Sequence, residues 1–201
     1  MKTFPETDSK WMHRALALAR RAEGMTRPNP PVGAVVVKNG RKIGQGWHKK
    51  AGGPHAEVFA LRQAGAAARG ATLYVTLEPC STFGRTPPCT DAILRAGIAR
   101  VVVGTADPNP QHAGRGLRLL RKAGIRVDVG ACADEAAALV APIACHVLRK
   151  RPSITLKLGL SLDGRIADPT HSSRWITGPE ARETVQTLRR ASDAVMVGAG
   201  T

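Results

Sequence analysis

Residues 101–129 read VVVGTADPNPQHAGRGLRLLRKAGIRVDV, and their reading decides the fold. VVVGT (101–105) is a β-branched run of the kind that is covered on both faces of a sheet. Residues 114–123 follow as a helix, and IRVDV (125–129) as another strand. A strand, a helix of about ten residues and a second strand are the repeating unit of a layered α/β sheet. Upstream, the RPNPP turn leads into VGAVVVK, a second buried run, and Asn39-Gly40 marks a hairpin that returns residues 41–47 antiparallel. ATLYVTL (71–77) supplies a further strand. Helices are expected at 8–23 (apolar Trp11, Ala15, Leu18 and Ala22, capped by Asp8 or Ser9, stopped at Gly24), from Pro54 to about Gln63, at 88–96 and at 133–147. The expectation is an α/β domain with a mixed sheet that opens on an antiparallel hairpin.

Arg149-Lys150-Arg151-Pro152 marks a boundary, giving a first domain over 1–148 and a second unit over 152–201. In the second unit SITLKLGLSLDGRIA reads as a strand, a turn at Asp163-Gly164 and a short return strand. A loop and helix follow in WITGPEARETVQTLRRAS, then a last strand in DAVMVGAGT. About 50 residues bury too little surface to be stable alone, so this unit is expected to pack on another surface, and self-association is one way to find it.

Hydrophobic residues make up 43% of the 201-residue chain but aromatics only 3%, so the core is built from Ala, Val, Leu and Ile. No apolar run reaches the roughly 20 residues of a membrane span. The start lacks the order of a secretory signal, which points to a cytoplasmic protein with no membrane partner. The formal charge of +15 is spread over helices and loops rather than massed in one tract, the pattern of a solvated face more than of a nucleic-acid groove. Four cysteines in such a chain do not form a disulfide framework, although a Cys80–Cys89 bridge is one reading of EPCSTFGRTPPC.

The other reading is chemical. His55 and Glu57 sit in the first turn of an expected helix, Cys80 follows a strand and Cys89 opens the next helix. Helix starts beyond strand ends are where open α/β sheets place their sites. A neutral imidazole and two thiolates are three zinc ligands that leave a fourth tetrahedral position open, the mark of a catalytic site. A helix N-terminus is also expected to favour the thiolate of Cys89. Glu57 on its own is a first-turn acid that complements the helix dipole.

PHAEV and the following EPC…C resemble the zinc-dependent deaminases of the cytidine-deaminase superfamily, whose signature is H-x-E followed by P-C-x-x-C. Eight residues rather than two separate Cys80 from Cys89, and that longer loop resembles the riboflavin-biosynthesis pyrimidine deaminases. The likeness continues through PNPPVGAVVV, GWHKKAGGPHAE, ADPNPQHAGRG, LKLGLSLDGRIA and RWITGPEAR. It implies a three-layer α/β/α domain followed by the first part of a dihydrofolate-reductase-like domain. The implied chemistry is hydrolytic deamination with one Zn2+ on His55, Cys80 and Cys89, and with Glu57 moving the proton. The implied substrate is a phosphorylated pyrimidine touched by Asn29, His48 and Arg85, where the residues themselves also allow a turn asparagine, a satisfied histidine and a solvated loop charge. For the reductase the resemblance implies NADPH against Leu160, Trp175 and Thr201, and substrate at Lys157, Ser173 and Arg189. The sequence stops at GAGT, so these 201 residues are expected to deaminate but not to reduce. Thr82 departs from the family, which often carries histidine there. A tRNA-type base deaminase and a zinc-stabilised scaffold without activity are the competing readings.

Overall fold

In the computed structural model, residues 3–199 are described. The chain forms two compact units, Met1–Ser153 and Ile154–Thr201.

The first unit is a five-stranded mixed sheet in the order β2-β1-β3-β4-β5. The strands are β1 (Gly33–Lys38), β2 (Arg41–Trp47), β3 (Thr72–Leu77), β4 (Arg100–Thr105) and β5 (Arg126–Val129). β1 pairs antiparallel with β2 and β3, while β3–β4 and β4–β5 are parallel. Asn39 and Gly40 both take positive φ, 50° and 70°, as a two-residue hairpin turn requires. The central strands alternate between two cores. Val36, Val75, Val101 and Val103 face α2 (Ala56–Ala64), α3 (Cys89–Arg95) and α4 (Arg115–Lys122). Val35, Tyr74 and Val102 face α1 (Glu6–Arg20) and α5 (Ala133–Arg149). A period of two along each strand thus builds three layers, α/β/α, largely from the small aliphatic side chains that the composition supplies.

α2 approaches β2 so closely that a Cβ on Gly44 or Gly46 would run into its backbone at Ala60 or Ala56. That contact seats the helix start, and His55 with it, over the ends of the strands. α1 is held by a buried polar cluster. Tyr74 donates its hydroxyl to Asp8 at 2.7 Å, and Arg100 clamps both carboxylate oxygens at 2.9 and 2.7 Å. Asp8 is therefore not the expected cap: α1 begins two residues earlier, behind Pro5, and the Asp8 side chain turns inward. Burial pushes its carboxyl up, but the Arg100 and Tyr74 hydrogen bonds outweigh that and hold it below the ordinary value.

In the second unit the turn at Asp163-Gly164 forms, with Gly164 N–H donating to Ser161 O at 2.9 Å, and a helix α6 spans Pro179–Ala191. The strands expected around 153–162, after the turn and over 193–201 are not formed among the described residues. Ile154 and Leu156 keep 83% and 80% of their surface exposed. Their alternation is that of a strand, but a ladder needs a neighbouring strand to take its N–H and C=O groups, and among the described residues none pairs with this segment.

Candidate metal and deaminase site

The parallel half of the sheet ends in loops that converge on α2. His55 is the residue immediately before α2, and its extended backbone (φ −77°, ψ 167°) turns the imidazole toward the ends of β3 and α3. Pro54 is not the first helical residue, as the sequence suggests; it lies two positions before α2, and its carbonyl accepts a hydrogen bond instead. Cys80 lies three residues past β3, and Cys89 is the first residue of α3.

The three donor atoms lie within 4.8 Å of one another. His55 Nδ1 is 3.5 Å from Cys80 Sγ and 3.2 Å from Cys89 Sγ. In a tetrahedral zinc site with ordinary Zn–N and Zn–S bonds, a nitrogen and a sulfur ligand stand about 3.6 Å apart. The residues fit the ion.

The protonation chemistry points the same way. The Cys89 thiol hydrogen-bonded to Cys80 holds the Cys80 thiol well below its ordinary value, with His55 assisting, whereas the mirror of that bond and burial push Cys89 up. Two adjacent sulfurs that share a hydrogen bond compete for one negative charge. The Cys89 backbone N–H at the helix start donates to Cys80 Sγ at 3.3 Å, so the helix terminus serves its neighbour. The hydrogen bond to Cys80 also raises His55. A divalent ion removes this competition by letting both sulfurs ionise beside a neutral imidazole.

Glu57 sits in the first turn of α2 with 3% exposure, and its Oε2 has no hydrogen-bond partner among the described residues. Burial, with the Cys80 charge adding to it, pushes its carboxyl up to about 7. A buried carboxylate oxygen without a partner is costly, and such costs are retained where the group has work to do.

A cleft of about 440 Å³ opens beside these groups, lined by His55, Glu57 and Cys80 with Asn29, His48, Thr82 and Arg85. All three substrate-pocket residues expected in the first unit thus share one cavity with two of the three candidate metal ligands. Cys89 lies behind it, fully buried. Asn29 is both the turn residue and the pocket residue of the two sequence readings. Its backbone closes a turn with Thr26, and its side chain meets His48. His48 is 2% exposed, and burial pushes its imidazole down. Arg85 is exposed.

Three further residues border the cleft that sequence reasoning did not single out: Asp107, His112 and Glu78. The first two lie in ADPNPQHAGRG, a loop too irregular for periodicity to place, and only the resemblance drew notice to it. Glu78 stands between β3 and Cys80 and collects four backbone N–H groups on its carboxylate. Oε2 accepts from Asp107 (3.2 Å) and Gly114 (2.8 Å), and Oε1 from Gly116 (2.9 Å) and Leu117 (3.4 Å). An acid directly before Pro-Cys was the available signal.

In the second unit Ser173 and Trp175 line a separate pocket of about 360 Å³ with Asp163, Arg165 and Asp168. Lys157, Leu160 and Arg189 are not among its lining residues. The Trp175 ring carries the Arg182 guanidinium at 4.4 Å and is 71% exposed, so it is not a core anchor. Thr201 lies outside the described residues.

Residues 5–105 match the family described as the cytidine and deoxycytidylate deaminase zinc-binding region. The chain belongs to that deaminase family. Residues 152–201 match the RibD C-terminal domain. The riboflavin biosynthesis protein RibD of Aquifex aeolicus is 57% identical over 98% of this deaminase-family chain and 55% of its own length. That of Escherichia coli is 54% identical over 96% and 53%. A solved diaminohydroxyphosphoribosylaminopyrimidine deaminase/5-amino-6-(5-phosphoribosylamino)uracil reductase from Thermotoga maritima superposes with a TM-score of 0.89 at 47% identity, covering 96% of this chain and 56% of that one. The chain spans about half the length of the curated relatives it matches. No described helix is long and apolar enough to cross a membrane.

Proposed function

We propose that this chain deaminates diaminohydroxyphosphoribosylaminopyrimidine hydrolytically in riboflavin biosynthesis, with one zinc ion on His55, Cys80 and Cys89. The observation that carries this reading is the orphan Glu57 carboxylate oxygen in the same cleft as that ligand set. Held there, zinc supplies the Lewis acidity that makes water a nucleophile near neutral pH. Glu57 is the catalytic residue: its Oε2 takes a proton from the attacking water and hands it to a ring nitrogen. It then carries the second proton to the departing amino nitrogen. The oxygen of water ends on the ring carbon and the nitrogen leaves as ammonia. Asn29 hydrogen-bonds the base, and Arg85, exposed on a loop that borders the cleft, pairs with the ribose phosphate. A cytoplasmic setting suits two cysteines that must stay reduced to hold metal.

We assign 1–148 to the deaminase domain and 152–201 to part of a dihydrofolate-reductase-like domain, a division supported by the two family matches and by the two compact units. NADPH and the reduction of the aminouracil belong to the longer relatives in this reading. Of the residues expected to serve them, Ser173 for substrate and Trp175 for the nucleotide sit together here. The +15 charge, although spread over the surface, raises one competing reading, a nucleic-acid base deaminase, and steeply salt-dependent binding to tRNA would support it.

The test compares ammonia release from the aminopyrimidine by wild type and by Glu57→Gln, with zinc measured on the same samples. General acid–base catalysis by one side chain contributes roughly 10²–10⁴-fold, so the variant should fall by that much with its zinc unchanged. Equal inactivity of both proteins with zinc bound would leave a zinc-stabilised scaffold as the answer.

A further inference from the structure

His48 lines the cleft, yet its two ring nitrogens are already engaged within the protein. Nδ1 lies 3.1 Å from the Pro54 carbonyl oxygen, and Nε2 lies 3.1 Å from Asn29 Nδ2. A carbonyl oxygen only accepts, so Nδ1 must carry the ring proton and donate it. The group facing Nε2 is the amide nitrogen of Asn29, which only donates, so Nε2 must be the bare, accepting nitrogen of the ring. The backbone is equally fixed: His48 N–H donates to Val32 O at 2.9 Å, and Thr26 holds Asn29 through its backbone at 2.8 Å. With one N–H of the amide committed to His48, the amide is held in one orientation, and Oδ1 is the acceptor that Asn29 can offer to the pocket.

We propose that His48 is a positioning residue rather than a substrate contact: Pro54 fixes its tautomer, and His48 in turn fixes the amide of Asn29, so that the pocket presents a hydrogen-bond acceptor to an N–H of the aminopyrimidine. The proposal rests on the deaminase reading for its substrate and on the hydrogen-bond pattern for its geometry. Pro54 directly precedes His55, so one loop sets both the first metal ligand and the orientation of the base reader. A pocket built this way discriminates strongly. An analogue that places an acceptor where the substrate has N–H leaves two acceptors facing each other, and polar mismatches of this kind are rejected far better than differences of size.

Two measurements test it. In a double-mutant cycle, His48→Phe and Asn29→Ala should each lower kcat/KM about 10–100-fold, mainly through KM, at unchanged zinc content. The double variant should be no worse than Asn29→Ala alone within about twofold, because His48 acts only through Asn29. His48→Gln, whose amide oxygen can accept from Asn29, should recover part of the loss. Effects that multiply in the double variant would make His48 a direct contact and overturn the proposal. The second measurement does not depend on turnover. Ring ¹⁵N shifts of histidine-labelled protein, with the His48 signals assigned by their loss in His48→Gln, should show Nδ1 protonated and Nε2 bare. An Nε2–H tautomer or an imidazolium would sink the proposal even in an active enzyme. Absence of deamination in wild type with the Nδ1–H tautomer present would instead count against the assigned reaction.

Discussion

Replacing Glu78 by glutamine is the perturbation that asks most directly how the cleft is held. The side chain is 6% exposed and keeps nearly the same shape as an amide. One of its two oxygens becomes an NH2 group, and two backbone N–H donors that now point at an acceptor would point at a donor. Those donors are either Asp107 and Gly114 or Gly116 and Leu117, two on each oxygen. A hydrogen bond to a charged group is worth roughly 1.5–3 kcal/mol, and a freed N–H in an opened loop regains water. A net local cost of about 3 kcal/mol follows, with about 1.4 kcal/mol for each factor of ten. Amide hydrogen exchange in the segment 107–117 should therefore accelerate on the order of 100-fold in Glu78→Gln, while the β3 and β4 amides stay protected. Because Asp107 and His112 line the cleft, KM for the aminopyrimidine should rise with zinc content unchanged. Exchange across 107–117 within about threefold of wild type would show that the carboxylate does not hold the loop.

Asp8→Ala should destabilise the fold by about 3 kcal/mol in urea unfolding, the low end for breaking a buried pair, because Arg100 keeps its 2.8 Å bond to Asp128. The folded-state pKa of Asp8 lies below the ordinary 3.8. Its contribution is therefore present above that value and fades as pH falls through the lower folded one, so the gap to Asp8→Ala should be level between about pH 7 and pH 5 and close below roughly pH 4. Gly44→Ala should cost about 1–3 kcal/mol by driving a Cβ into the α2 backbone at Ala60, with a matching loss of zinc affinity as His55 is displaced. An alanine variant with wild-type stability and zinc binding would show that the helix has room to move.

The sheet was legible because its signals are local. Alternate residues of VVVGT and VGAVVVK face different cores, and Asn39-Gly40 closes its hairpin without outside help. The ligand trio was legible because zinc chemistry restricts residue types, and His55, Cys80 and Cys89 do converge. What escaped depends on distant partners. Asp8 looks like a helix cap until Tyr74 and Arg100, 66 and 92 residues away, turn it inward. Pro54 looks like a helix start until its carbonyl is claimed by His48. The helix terminus at Cys89 donates its backbone N–H to the neighbouring Cys80 sulfur, a contact that spacing does not reveal. In the second unit the strand reading of SITLKLGLSLDGRIA was not met, because residue pattern says nothing about whether another strand lies alongside.

The most direct test of the account is a zinc titration of chelator-stripped protein, following ammonia release from diaminohydroxyphosphoribosylaminopyrimidine. The rate should rise in proportion to bound zinc, saturate at a single ion per chain, and fail to recover in Cys80→Ser at the same zinc concentration. Full activity in the stripped protein, or a zinc-loaded chain that releases no ammonia, would contradict it.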